Sequence, residues 1–84
     1  MDQIMKIEIK LLTQMKKYLP DPDMAGNTRS IEIKEKATIR EMFLELGIPA
    51  DMPKVILLND RQGKLDDILK DGDKVSVFPP VGGG

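Results

Sequence analysis

The chain has no cysteine, no histidine and no tryptophan among its 84 residues. Without cysteine there is neither a disulfide framework nor a thiolate metal site. Without histidine the usual general base near neutral pH is missing, as are most zinc and copper sites and any Ser–His or Cys–His nucleophile pair. Free-standing catalysis and metal binding by this chain are therefore not expected. Aromatics amount to two Phe and one Tyr, and 13 basic residues against 14 acidic ones leave a net charge of −1. Nucleic-acid binding ordinarily shows a basic face with stacking aromatics, so that class is set aside. No apolar run approaches a membrane span, and Met1-Asp2-Gln3 does not open a signal peptide. The expected setting is the cytoplasm, with no membrane and no nucleic-acid partner.

A chain of this length suits one domain, near the lower end of sizes that fold without metals or disulfides. Residues 4–12 alternate apolar and charged, with Met5, Ile7, Ile9 and Leu11 on one side and Lys6, Glu8 and Lys10 on the other. That is a strand with one buried face. Residues 13–19 suit a short helical turn resting on Met15, Tyr18 and Leu19, broken by Pro20-Asp21-Pro22-Asp23. The Asp-x-Asp pair lacks the spacing of a calcium loop and reads as a solvated turn. Residues 29–34 alternate again, with Ile31 and Ile33 inward.

Thr38-Ile39-Arg40-Glu41 is a capping box, and Ile39, Met42, Phe43 and Leu46 follow at i, i+3, i+4 and i+7. Gly47 suits the helix end and Pro49 forbids continuation, so a helix is expected over residues 39–46. After Pro53, Val55-Ile56-Leu57-Leu58 reads as a strand with Ile56 and Leu58 inside and Leu57 exposed. Asn59 to Gly63 is a turn, or a hairpin leading to a short strand at Lys64-Leu65. A single helical turn at residues 66–69 would pack Leu65, Ile68 and Leu69. Asp71-Gly72-Asp73 turns into the last strand, where Val75 and Val77 alternate with Lys74 and Ser76.

These elements fit an α+β fold in which one helix crosses a mixed sheet. The first two strands can pair as a hairpin, and the helix provides the crossover that lets the last strand lie parallel to the first. If Val75 and Val77 face the core, Phe78 falls on the other face with Ser76. There it forms an apolar patch near Leu57 of the kind that marks a partner site. The alternative is that Phe78 folds over the sheet edge.

The final stretch is Phe78-Pro79-Pro80-Val81-Gly82-Gly83-Gly84. Two prolines end a strand because they lack an N–H and fix φ, and the pair favours a stiff extended form. Residues 81–84, drawn out, span on the order of 14 Å, and glycines thread a slot too narrow for any Cβ. Terminal glycines alone are accounted for by fraying or by a cloning remnant. A rigid apolar stem set directly on a strand is not.

Taken together, Leu69-Lys70-Asp71-Gly72-Asp73-Lys74-Val75, the Phe78-Pro79-Pro80-Val81 stem and Gly83-Gly84 resemble the ubiquitin-like sulfur-carrier family of the β-grasp fold. Within that family they are most similar to the small subunits of molybdopterin synthase. Asn59 and the helix opened by Thr38 sit where the family has comparable elements. Gly82 stands where the family often has another small residue, and residues 13–28 are long and interrupted by proline.

The resemblance implies a single β-grasp domain over residues 1–80 and a flexible tail over residues 81–84. It implies that an adenylating enzyme of the ubiquitin-activating type, using ATP and Mg, activates the Gly84 carboxylate. A sulfur donor protein then displaces AMP to leave a thiocarboxylate. On this reading Leu57, Phe78, Pro79, Pro80, Val81, Gly82 and Gly83 bind partners, one being a large synthase subunit in a heterotetramer. The chain itself binds no cofactor. The chemistry suits the sequence. An α-carboxyl of pKa roughly 3.3–3.7 is ionised at pH 7, and its carbon is a poor electrophile until it becomes an acyl-phosphate anhydride. With no cysteine, no side chain can carry the sulfur.

Four roles remain open on the sequence. They are a carrier for molybdopterin or the tungsten cofactor, a carrier for thiamine or another metabolite, a modifier conjugated to lysines through Gly84, and an interaction domain with a chemically idle tail.

Overall fold

The computed structural model describes residues 3–52 and 54–80. Strand β1 (Ile4–Leu11) leads into a 3₁₀ turn (Thr13–Tyr18), strand β2 (Thr28–Lys34) and helix α1 (Ile39–Leu46). Strands β3 (Val55–Leu58), β4 (Arg61–Gln62) and β5 (Lys74–Phe78) follow. The sheet order is β2-β1-β5-β3-β4. β1 pairs antiparallel with β2 and parallel with β5, and β5 pairs antiparallel with β3. This is the β-grasp arrangement, with the last strand at the centre of the sheet. Among the described residues no helix is long and apolar enough to cross a membrane.

The period-two pattern of β1 is realised in full: Met5, Ile7, Ile9 and Leu11 are buried. They meet Ile39, Met42 and Phe43 of α1 and Val75 and Val77 of β5 in one cluster. The capping box forms as the sequence leads one to expect. Glu41 N–H donates to Thr38 Oγ1 (3.2 Å), and Thr38 N–H donates to Glu41 Oε1 (3.0 Å). Two otherwise orphan donors of the helix N-terminus are thus satisfied. Gly47 ends α1 at φ 80°, where a side chain would be strained. Met15 and Leu19 of the 3₁₀ turn are buried, and Tyr18 packs against the core.

Two expectations need correction. The strand after β3 is Arg61–Gln62, not Lys64-Leu65. Asn59 and Asp60 both adopt positive φ (52° and 70°), so two residues suffice to reverse the chain and pairing resumes at once with Leu58↔Arg61. The turn expected at residues 66–69 lies earlier, where Asp67 N–H donates to Lys64 O (3.0 Å) and Lys64 N–H to Asp67 Oδ2 (2.9 Å). Ile68 forms a bridge to Thr38 and is exposed instead of packed, while Leu69 is buried. Pro53, read as the break before β3, lies outside the described residues.

Candidate functional site

The site is the end of β5 and the strand beside it. Val75 and Val77 are buried, and they stand opposite Leu58 and Ile56 of β3. Alternation then places Phe78 and Ser76 on the open face, where their cross-strand partners are Val55 and Leu57. Phe78, Leu57 and Val55 are each half-buried. Phe78 therefore continues β5 for one residue beyond the Val77 expected from sequence, and it keeps to the outer face of the sheet. Leu57 lies diagonally from it. Val55, which the sequence reading did not single out, completes the apolar patch. The signal was present, because an antiparallel neighbour of β5 ending at Phe78 must put some residue opposite it.

Basic side chains flank this patch. Lys10 of β1 is registered with Ser76, and Lys74 begins β5 on the same face; both are exposed. Lys54, just ahead of Val55, donates to the carbonyls of Pro49 (2.9 Å), Ala50 (3.1 Å) and Met52 (2.6 Å). Its ammonium also lies 5.0 Å from the centre of the Phe43 ring. Burial lowers the Lys54 pKa, and neighbouring Asp51 opposes that shift. The lysine fastens the connection from α1 to the strand that faces Phe78, so it positions the patch while its own ammonium stays occupied.

Pro79 is half-buried and Pro80 exposed. β5 ends at Phe78, as the missing proline N–H requires. Val81, Gly82, Gly83 and Gly84, the expected reactive tail, lie outside the described residues. The structure thus brings Leu57, Phe78 and Pro79 to one end of one face. That end of the sheet is also where β1 finishes. Leu12 N–H donates to Val77 O (3.0 Å), which packs the start of the 3₁₀ turn against β5.

At the other end, the Asp71-Gly72-Asp73 turn proves to be a clip. Gly72, at φ 86°, donates to Lys6 O (2.8 Å), and Asp71 Oδ1 accepts from Lys6 N–H (2.8 Å). Asp73 accepts from Lys70 N–H (2.8 Å) and from Asn59 Nδ2 (2.9 Å), and Asn59 Oδ1 accepts from Lys74 N–H (2.9 Å). These bonds tie β1, β3 and the first residue of β5 together. They set the register that puts Phe78, four residues on, opposite Val55.

Sequence reading also missed Arg29. It is only 7% exposed, and its guanidinium donates to the carbonyls of Pro20, Asp21, Met24, Gly26 and Thr28 at 2.9–3.2 Å, with Ala25 O at 3.5 Å. Among the described residues no buried side-chain polar atom lacks a partner.

Comparison with known proteins agrees with this architecture. The model of the ThiS family matches residues 21–84. Protein RnfH of Haemophilus influenzae is 27% identical over 59 residues, covering 63% of this chain; the chain spans only 58% of that relative's length. Among solved structures, a putative molybdopterin converting factor subunit 1 from Pyrococcus furiosus superposes with a TM-score of 0.71 at 26% identity, covering 92% of this chain and 99% of that one. The small archaeal modifier protein 1 of Haloferax volcanii gives 0.70 at 20% identity, covering 92% and 99%. A complex of subunits 1 and 2 of the molybdopterin-converting factor from Helicobacter pylori gives 0.59 at 24%, covering 95% and 100%. The last two, at such identity, speak to the fold alone. A central last strand that ends in Phe78-Pro79-Pro80, in a chain matched by the family model along three quarters of its length, settles the kinship: the chain belongs to the ThiS family of ubiquitin-like sulfur carriers.

Proposed function

We propose that the chain carries sulfur on the carboxyl group of Gly84 for the assembly of molybdopterin. The observation that carries this reading is the placement of Phe78 at the end of the central strand. There it is held on the open face beside Leu57 and Val55 and followed at once by Pro79. A partner that grips this patch also has the stem of the tail in hand. The reading requires that the native chain end at Gly84.

The chemistry runs in two steps. A carboxylate oxygen of Gly84 attacks the α-phosphorus of ATP and expels pyrophosphate, giving the acyl-adenylate. A hydrosulfide equivalent from a sulfur donor protein then attacks the acyl carbon, the C–O bond to AMP breaks, and a thiocarboxylate remains. The adenylating enzyme must provide the charges and Mg that stabilise the phosphate. This chain provides the patch, the stem and the glycines, which let the carboxylate pass a constriction. A large synthase subunit then accepts the sulfur. The molybdopterin branch is favoured by the Phe-Pro-Pro-Val stem and by the likeness to the Pyrococcus furiosus protein. A role as a protein modifier rests on fold similarity only.

The intact mass of the protein isolated from its native cell tests this reading. The expected finding is a fraction of chains in which one oxygen has been exchanged for sulfur, localised to Gly84. A ladder of isopeptide-linked conjugates would replace the carrier role by that of a modifier. A chain that is unmodified under every growth condition would overturn both.

A further inference from the structure

Residues 20–26 are all exposed, yet the backbone of the loop they form is gathered onto one buried side chain. One guanidinium, that of Arg29, collects carbonyls from five positions between Pro20 and Gly26, and it also bonds Thr28 O. Loops that only connect elements are usually mobile, and burying a guanidinium without a carboxylate is costly. Here that cost fixes the backbone beneath side chains that face solvent: Asp21, Asp23 and Met24, the last 52% exposed. A surface fixed before it meets its partner loses less entropy on binding.

The loop also sits at a particular place. It joins the 3₁₀ turn, whose lead-in bonds Val77 O, to β2, whose first residue is registered with Lys10; Leu11 N–H donates to Asn27 O (3.0 Å). It therefore stands at the end of the sheet where β5 gives way to Pro79. From the end of β5, residues 79–84 can reach no further than about 20 Å. An enzyme that holds the Gly84 carboxylate in its active site must bring its own surface against this end of the domain.

We propose that residues 20–27, fixed by Arg29, are a second contact for the adenylating enzyme, which offers an apolar socket to Met24 and basic side chains to Asp21 and Asp23. The inference rests on the reading of Gly84 given above. The adenylating enzyme is the occupant because activation of the carboxylate is common to every carrier or modifier role of such a tail, whatever product is served later.

The test is ATP–pyrophosphate exchange by the recombinant adenylating enzyme of the same organism, measured against the concentration of the full chain. Met24→Glu should raise the KM for the chain about tenfold or more with kcat unchanged, the signature of lost docking with intact chemistry. Met24→Leu should restore a KM near that of the native chain. Asp21→Lys combined with Asp23→Lys should raise KM more at low salt than at high salt. Thermal unfolding of the Met24 variants should match the native chain, because that side chain faces solvent; the double variant should melt slightly lower, because residue 21 sits at φ 50°, which aspartate tolerates better than lysine. A KM within about twofold of native for both Met24→Glu and the charge-reversed double variant would overturn the proposal while leaving the Gly84 reading intact. Exchange that the native chain itself fails to support would overturn the Gly84 reading, and this proposal with it.

Discussion

At the end of the sheet where β5 begins, carboxylates and an amide gather backbone N–H groups: Asp71 and Asp73 with Asn59. At the end where the tail leaves, one guanidinium gathers backbone carbonyls. The clip is exposed and built from short side chains that join β5 to β1 on one side and to the end of β3 on the other. The clamp is buried, and a single long side chain organises a loop. The first sets the register of the strand that bears the tail. The second shapes the surface beside the exit. Fastening the backbone thus aligns strands at one end and shapes a surface loop at the other.

Substitutions sharpen the contrast. Arg29→Ala should have the largest effect, because it leaves a set of carbonyls without their shared donor. A loss of about 2–4 kcal/mol is expected, moderated by water entering the opened loop. Thermal unfolding would show it as a fall of more than about 10 °C for a domain of this size, and hydrogen exchange would localise the opening to residues 20–28. Asp73→Ala removes two exposed acceptors and should cost about 1–2 kcal/mol. Its diagnostic sign is a change in the amide chemical shifts of Lys70 and Lys74, with those of Gly26 and Thr28 unmoved. Equal losses from both variants, or shifts that spread to the far end, would remove the distinction between clip and clamp.

A smaller effect is expected at Glu41, which belongs to neither end. The hydrogen bond from Lys34 (2.8 Å), followed by that from Thr38 N–H, holds its carboxyl below the usual carboxylate range. A group depressed in the folded state stabilises at pH values above its unfolded pKa and loses that contribution as pH falls through its folded one. The melting temperature of Glu41→Gln should therefore lie slightly below native at neutral pH and converge with it in acid. A gap that widens on acidification would contradict the assignment. Smallest of all for stability is Phe78→Lys. The side chain is half-buried on the open face, so unfolding should be nearly unchanged while binding to a partner enzyme falls steeply. Loss of folding would mean that Phe78 belongs to the core.

The same contrast explains what could be read in advance. Asp-Gly-Asp and Thr-x-x-Glu are short-range patterns whose residue types have few other uses, and both form where expected. The alternation of β1 and β5 placed Phe78 on the outer face and Leu57 near it. Arg29 escaped because the alternation that puts Ile31 and Ile33 inward also carries residue 29 to that face, but its charge suggests solvent. Only the return of the loop, through carbonyls that no sequence pattern advertises, makes the burial tolerable. The place of β4 was missed for a similar reason. The positive φ values of Asn59 and Asp60 shorten the reversal to two residues, and neither is a glycine.

The central claim is that the folded body presents a single reactive group, the carboxyl of Gly84. It is tested most directly by extending the chain past Gly84 with residues that no protease in the assay removes, and then measuring sulfur transfer alongside intact mass. The expected result is no thiocarboxylate and no transfer, with melting temperature and partner binding through Phe78 retained. Undiminished transfer from a chain whose extension is still in place would contradict it.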